Sequence, residues 1–181
     1  MVLYFITGNK NKFNETKAEL DPIIIEQKEI DLIEIQSLDS REVIEHKLKE
    51  ATKHYKGEFI VEDVSFSLDC INGFPGPLIK WFLKSLGRSG IYELCKAKNN
   101  YGVSAKATIG YTDGKEILFF EGEVVGEIVE PKEDSQSIWD LKPTGLDKTL
   151  TEMTIEEKNK ISHRGKAVRK FKEYYLSKNK F

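Results

Sequence analysis

The chain has 181 residues, 39% apolar and 32% charged, with a formal net charge of −2 at pH 7. That length and composition fit one soluble domain with a real core (1–181), and the near-neutral charge excludes general nucleic-acid binding. Two cysteines, Cys70 and Cys95, and an opening apolar run of only Val2–Ile6 exclude a disulfide framework, a signal peptide and a membrane span, which predicts a cytoplasmic protein.

Val2–Ile6 reads as a buried strand running into Thr7-Gly8-Asn9, followed by a helix with Phe13, the Lys17 stem and Leu20 at helical spacing. Ile23–Gln27 is a second strand. Asp39 and Glu42 have capping-box spacing before a helix whose apolar stripe is Val43, Ile44, Leu48 and Ala51. Phe59–Val61 reads as a short strand ending in Glu62 and Asp63. Gly73-Phe74-Pro75-Gly76-Pro77 is a turn that places Pro77 at the first position of the helix LIKWFLKSL. Ser104–Thr112 and Glu116–Val125 alternate around Asp113-Gly114, a hairpin signal. Pro131–Gly145 is polar and irregular, with Trp139 inside it.

Thr154 and Glu157 form a second capping-box pair. After Ser162, the residues Ala167, Val168, Phe171, Tyr174 and Tyr175 mark one face of an amphipathic helix. From Lys158 to Lys180 there are nine Lys/Arg against one acid, Glu173, which reads as a solvated helix face or as one wall of a polyanion site. The pattern as a whole is mixed α/β without a linker or repeat.

Three constellations carry chemistry. In FITGNKNKFNE the junction from strand through Gly8 to helix aims backbone N–H groups at one spot, with Lys10 and Lys12 adding charge. It lacks P-loop spacing, and such a junction is also compatible with a purely structural role. Glu34, Glu62 and Asp63 suit Mg²⁺, which prefers oxygen ligands and keeps its water, although from the residues alone Glu62 and Asp63 read more simply as a solvated turn. Ser162 next to His163 is not a nucleophile and its base, because adjacent residues rarely face each other and no GxSxG elbow surrounds them. Ser162 reads as a helix N-cap, which puts His163 and Arg164 in the first turn, where the helix dipole disfavours cations and an acceptor is expected nearby.

With these residues assembled, the chain resembles the inosine triphosphate pyrophosphatase family through TGNKNKFNE (7–15), VEDVSFSLDCINGFPGPLIKWFL (61–83) and EMTIEEKNKISHRGKA (152–167). The resemblance implies an elongated mixed β-sheet flanked by helices, two lobes with a central substrate cleft, and a homodimer. It also implies Mg²⁺-dependent attack of water on the α-phosphate of a deaminated purine triphosphate, releasing pyrophosphate.

By the same resemblance Thr7, Gly8, Asn9, Lys10, Asn11 and Lys12 form the phosphate loop, which Glu15 closes. Glu34 and Asp63 bind metal, with Asp63 helping to activate water. Lys47 and Lys80 contact substrate. Lys158, His163 and Arg164 hold the purine, whose O6 and N7 acceptors suit arginine, while adenine's 6-amino group would leave those donors unpaired. Trp139 and Asp140 match the segment that closes on the base. Ser137-Ile138 replaces the family's Phe-Gly there, and the link to Thr149 is about two residues short by that resemblance, which implies weaker base affinity or looser selectivity. A nucleotide-binding relative with weakened catalysis and a house-cleaning pyrophosphatase with shifted base preference are the alternatives.

Overall fold

The computed structural model describes residues 2–30, 32–132 and 140–179. In chain order the elements are β1 (Leu3–Ile6), α1 (Lys10–Leu20), β2 (Ile25–Lys28), α2 (Ser40–His54), β3 (Phe59–Leu68) and β4 (Pro75–Gly76). They continue with α3 (Ile79–Ala97), β5 (Gly102–Thr112), β6 (Ile117–Ile128), β7 (Leu141–Pro143), α4 (Ile155–Ile161) and α5 (His163–Lys178). Among the described residues the strands make one mixed sheet ordered β2-β1-β3-β5-β6-β7, with β4 added to β3. β2, β1 and β3 run parallel, and β3, β5 and β6 antiparallel.

Strand alternation divides the core. Ile60 and Val64 face the same way as Ala107, Ile109 and Tyr111, and there meet Ala167, Val168 and Phe171 of α5. Phe59 and Val61 point to the opposite face and meet Ile44, Leu48 and Ala51 of α2. Farther along the same strands, Phe66, Leu68, Val103 and Ala105 pack against Ile79, Ile91 and Cys95 of α3. The helices thus gather in two regions along shared long strands. Cys95 is buried and Cys70 half-buried, both as thiols, with Sγ atoms 3.6 Å apart.

Two glycines permit the closest approaches around α5. A Cβ on Gly122 of β6 would overlap the His163 carbonyl and the Ala167 nitrogen. One on Gly165 would overlap the Asn159 carbonyl, so the α4–α5 corner closes only without a side chain there. Ser162 caps α5 as its sequence predicts, its hydroxyl accepting from Gly165 N at 3.0 Å. Thr154 and Glu157 complete their capping box. The Asp39 cap also forms, but Glu42 does not reach back to it. Ser37 stands between them, accepting from Asp39 N at 3.0 Å and donating to Glu42 at 2.6 Å.

The structure differs from the sequence expectation at β3 and α3. β3 does not stop at Val61 but continues to Leu68, so Glu62 and Asp63 sit in mid-strand. Pro77 precedes the α3 cap, Leu78, instead of opening the helix, because Pro75 and Gly76 are still paired with β3. β1 pairs with β3 only at Phe59 and Ile60, and β4 only at Phe66 and Ser67. Between them, Val61 to Ser65 have β5 on one side and, among the described residues, no strand on the other. That interrupted edge is the floor of a cleft.

Candidate active site

A cleft of about 500 Å³ opens at this edge, outside the carboxyl end of β1, where open α/β sheets present ligand sites. The β1–α1 junction supplies Thr7, Gly8, Asn9 and Lys12; the segment before α2 supplies Glu34 and Gln36; α2 supplies Lys47. β3 contributes Glu62 and Asp63, and the start of α3 contributes Lys80 and Trp81.

At the junction, Asn9 Oδ1 accepts from the N–H groups of Asn11 and Lys12, at 3.0 and 3.1 Å, and Asn9 N donates to Thr7 Oγ1 at 3.1 Å. The asparagine thus fixes the loop and uses two first-turn donors itself. Beside Gly8 there is open space, so a ligand can approach its backbone. Lys12 turns into the cleft 3.8 Å from Glu62 Oε2. Burial pulls its ammonium below the ordinary lysine range against the attraction of Glu62. Lys10 and Asn11 are exposed and lie outside the cleft lining.

Glu34 and Asp63 share one cation. Lys47 Nζ is 3.3 Å from Asp63 Oδ1 and is also ion-paired with Glu34 Oε1. Burial pulls the lysine down, but the two carboxylates outweigh it and raise it above its usual range. Burial pushes Glu34 up; the Lys47 hydrogen bond and the charges of Lys47, Lys80 and Lys12 outweigh that and hold it below the carboxylate range. Two carboxylates already gathered around one cation suit a hard divalent ion that keeps several waters. Glu62 Oε2 is buried and has no hydrogen-bond partner; its neighbour in the cleft is the Lys12 ammonium at 3.8 Å. No group of three or more His, Cys, Asp or Glu placed to hold a metal occurs among the described residues.

Behind the floor, on the α5 side, lies a buried charged network. Arg164 Nε donates to Glu62 Oε1 at 2.9 Å and Nη1 donates to Glu15 Oε2; Lys158 Nζ reaches Glu15 Oε1 at 2.6 Å. Burial pulls Arg164 down, but Glu62 and Glu15 outweigh it. His163 is 4% exposed, and its Nδ1 has no hydrogen-bond partner. Burial first, then the charges of Arg164, Lys158, Lys12 and Lys166, holds it well below the imidazole range, so it is neutral.

The structure therefore gathers Thr7, Gly8, Asn9, Lys12, Glu34, Lys47, Asp63 and Lys80 in one cleft. Lys158, His163 and Arg164 lie behind it; Arg164 reaches the cleft floor through Glu62 and joins Lys158 through Glu15. Asp140 is 5% exposed and bonded to Arg88 Nη1 at 3.4 Å and Thr151 Oγ1 at 3.1 Å, in the α3 region. Trp139 lies outside the described residues. The sequence reading left the role of Glu62 open and passed over Gln36 and Trp81, whose contact depends on residues 45 positions apart.

A model of the Ham1 family matches residues 3–174. Similar curated proteins include the inosine triphosphate pyrophosphatase of Neurospora crassa, 40% identical over 96% of this chain and 92% of that protein. That of Schizosaccharomyces pombe is 38% identical over 97% of this chain and 95% of that protein. Among solved structures, a HAM1 protein from Coxiella burnetii superposes with TM-score 0.77 at 19% identity, covering 98% of this chain and 99% of that one. The Staphylococcus aureus Ham1 protein gives 0.74 at 21% identity, covering 99% and 100%. These two likenesses concern the fold.

Proposed function

This chain belongs to the Ham1 family, and we propose that it hydrolyses deaminated purine nucleoside triphosphates (ITP, dITP and XTP) to the monophosphate and pyrophosphate, sanitising the nucleotide pool. The observation that carries the reading is the cleft itself, in which a capped helix start and three lysines face two carboxylates that share a cation. A triphosphate carries about four negative charges, and its hydrolysis is a matter of positioning and charge stabilisation, which that set of side chains supplies.

Thr7, Gly8, Asn9 and Lys12 hold phosphate oxygens, and the exposed Lys10 and Asn11 belong to the same loop outside the cleft lining. Lys47 and Lys80 stabilise the charge of the leaving pyrophosphate. Glu34 and Asp63, the two carboxylates paired with Lys47, would be the residues that hold Mg²⁺. When bound, the ion neutralises phosphate charge and lowers the pKa of water. Asp63 orients the attacking water, and Lys12 acts on the developing charge. The half-buried Lys12, kept on the cleft wall by Glu62, supports that role.

Lys158, His163 and Arg164 read the purine, together with Trp139 and Asp140. Arg164 spends its Nε hydrogen on Glu62 and one Nη1 hydrogen on Glu15, so the remaining Nη donors are what it offers to O6. The neutral His163, with an unpaired Nδ1, completes a site for a neutral base edge. A single cytoplasmic domain that acts without nucleic acid or membrane is the reading supported by the chain's length, composition and net charge of −2. A homodimer is supported by the exposed Leu38 and Phe74, which line one open groove on the sheet face that α2 leaves uncovered.

The test is a panel of ITP, dITP, XTP, GTP, ATP and dUTP with Mg²⁺, with the released anion identified. Pyrophosphate from the first three, lost in Asp63→Asn, is expected. Orthophosphate, or binding without turnover, overturns the reading.

A further inference from the structure

We propose that Gln36 and Trp81 are positioning residues: the bond between them holds the segment carrying Glu34 at a fixed separation from Lys80 across the cleft. Trp81 Nε1 donates to Gln36 Oε1 at 2.6 Å, and the other end of the same amide, Nε2, donates to the Glu34 carbonyl at 3.4 Å. One side chain therefore links the backbone of Glu34 to α3. The amide can be assigned only one way round, because the indole offers a donor and the carbonyl an acceptor.

The segment needs such a link. Residues 32–36 form no helix or strand, so few backbone bonds hold Glu34 in place. Leu32 packs against the α2 side of the core, and Lys47 holds the Glu34 carboxylate from α2. Both of these ties come from one wall of the cleft, and the Gln36–Trp81 bond comes from the other. Were a divalent ion held by Glu34 and Asp63, the Lys47 pairing would be lost, and Gln36 would remain as the tie to Glu34 from the opposite wall.

Trp81 is 47% exposed, so part of its ring is open to neighbouring side chains. The Lys80 and Lys84 ammonium groups lie 5.6 and 5.7 Å from its ring centre, so the ring also orients Lys80 beside the cleft. The same indole thus sets the Glu34 segment by its N–H and Lys80 by its face.

The metal arm of this inference rests on the reading of Glu34 as a metal ligand, so the test has two arms. Amide hydrogen exchange over residues 32–38 is measured in the metal-free protein for Trp81→Phe, Gln36→Met and the double variant. Trp81→Phe keeps a ring and loses the N–H, and both positions are at the surface, so folding is retained and is checked by thermal unfolding. Exchange about three- to tenfold faster in each single variant, with the double no faster than Gln36→Met, is expected from the loss of one hydrogen bond. Unchanged exchange, or effects that simply add, overturns the proposal.

In the second arm Mn²⁺ binding is followed by electron paramagnetic resonance, with dissociation constants expected to rise by about the same factor in each variant. Weakening in Asp63→Asn but not in the two variants overturns the proposal. Unchanged binding in Asp63→Asn, with exchange still accelerated in Trp81→Phe, removes the metal reading and supports the tether.

Discussion

Glu62 and Asp63 are consecutive on β3 yet serve opposite faces of the sheet: Glu62 accepts from Arg164 Nε at 2.9 Å, Asp63 from Lys47 Nζ at 3.3 Å. Their substitutions should separate accordingly. Asp63→Asn is expected to lower kcat by at least about 100-fold, the scale of a lost water-activating group. Its effect on folding is small, since Lys47 keeps Glu34. Glu62→Gln leaves buried Arg164 with one charged partner and costs about 1–3 kcal/mol of stability. Steady-state kinetics and urea unfolding on both variants check this, and the reverse pattern contradicts it.

His163 gives the protein a pH-dependent stability. It is neutral in the fold, because burial and then the surrounding cations depress it, whereas the unfolded chain takes up a proton near pH 6.5. Its contribution is complete above that pH and is lost as the pH falls towards the depressed folded value, by at most about 1.4 kcal/mol per pH unit. Glu15 adds the same sign at lower pH. Burial pushes it up, Arg164 and Lys158 outweigh that, and its contribution is present above 4.5 and lost as pH falls through the lower folded value. Urea unfolding between about pH 7.5 and 5.5 should give a flatter profile for His163→Gln than for the parent chain; equal slopes count against the assignment.

Glu58 fastens α5 to the sheet. Its carboxylate accepts from the Tyr111 hydroxyl at 2.6 Å and the Tyr175 hydroxyl at 2.8 Å, and both tyrosines are buried. Glu58→Ala leaves those hydroxyls short of an acceptor and should cost about 2–4 kcal/mol, against about 1 kcal/mol for Tyr175→Phe. Denaturant midpoints measure both, and a near-neutral Glu58→Ala contradicts the role.

Gly122→Ala should be more damaging than its size suggests. The added methyl group meets backbone atoms of α5 at His163 and Ala167, which cannot rotate away. A loss of about 1–3 kcal/mol is expected, the scale of overpacking. Because that turn carries His163 and Arg164, KM for ITP should rise in the same variant; calorimetry and kinetics test the two effects.

Much of this was legible from local chemistry. The Ser162 cap, the Thr154–Glu157 box and the Asp113-Gly114 hairpin depend on residues within a few positions of each other, and all three form. β3 runs past the end its sequence suggests; consecutive acids in a sequence resemble a strand end. Glu62 and Asp63 are tolerated in mid-strand only because the edge beside them is open and lysines and an arginine from three helices meet them there. Likewise nothing in the string LIKWF announces that Trp81 will meet Gln36, since that bond exists only after α3 is placed across the cleft. The turn from strand to helix at Gly8 is readable from its motif, but not that Asn9 would occupy two of its own helix N–H groups.

The most direct measurement follows the oxygen of water. Hydrolysis of ITP in oxygen-labelled water, read by phosphorus NMR and mass spectrometry, should place the label in inosine monophosphate and leave the pyrophosphate unlabelled. Label in orthophosphate, or in pyrophosphate with an unlabelled monophosphate, would contradict attack at the α-phosphate in this cleft.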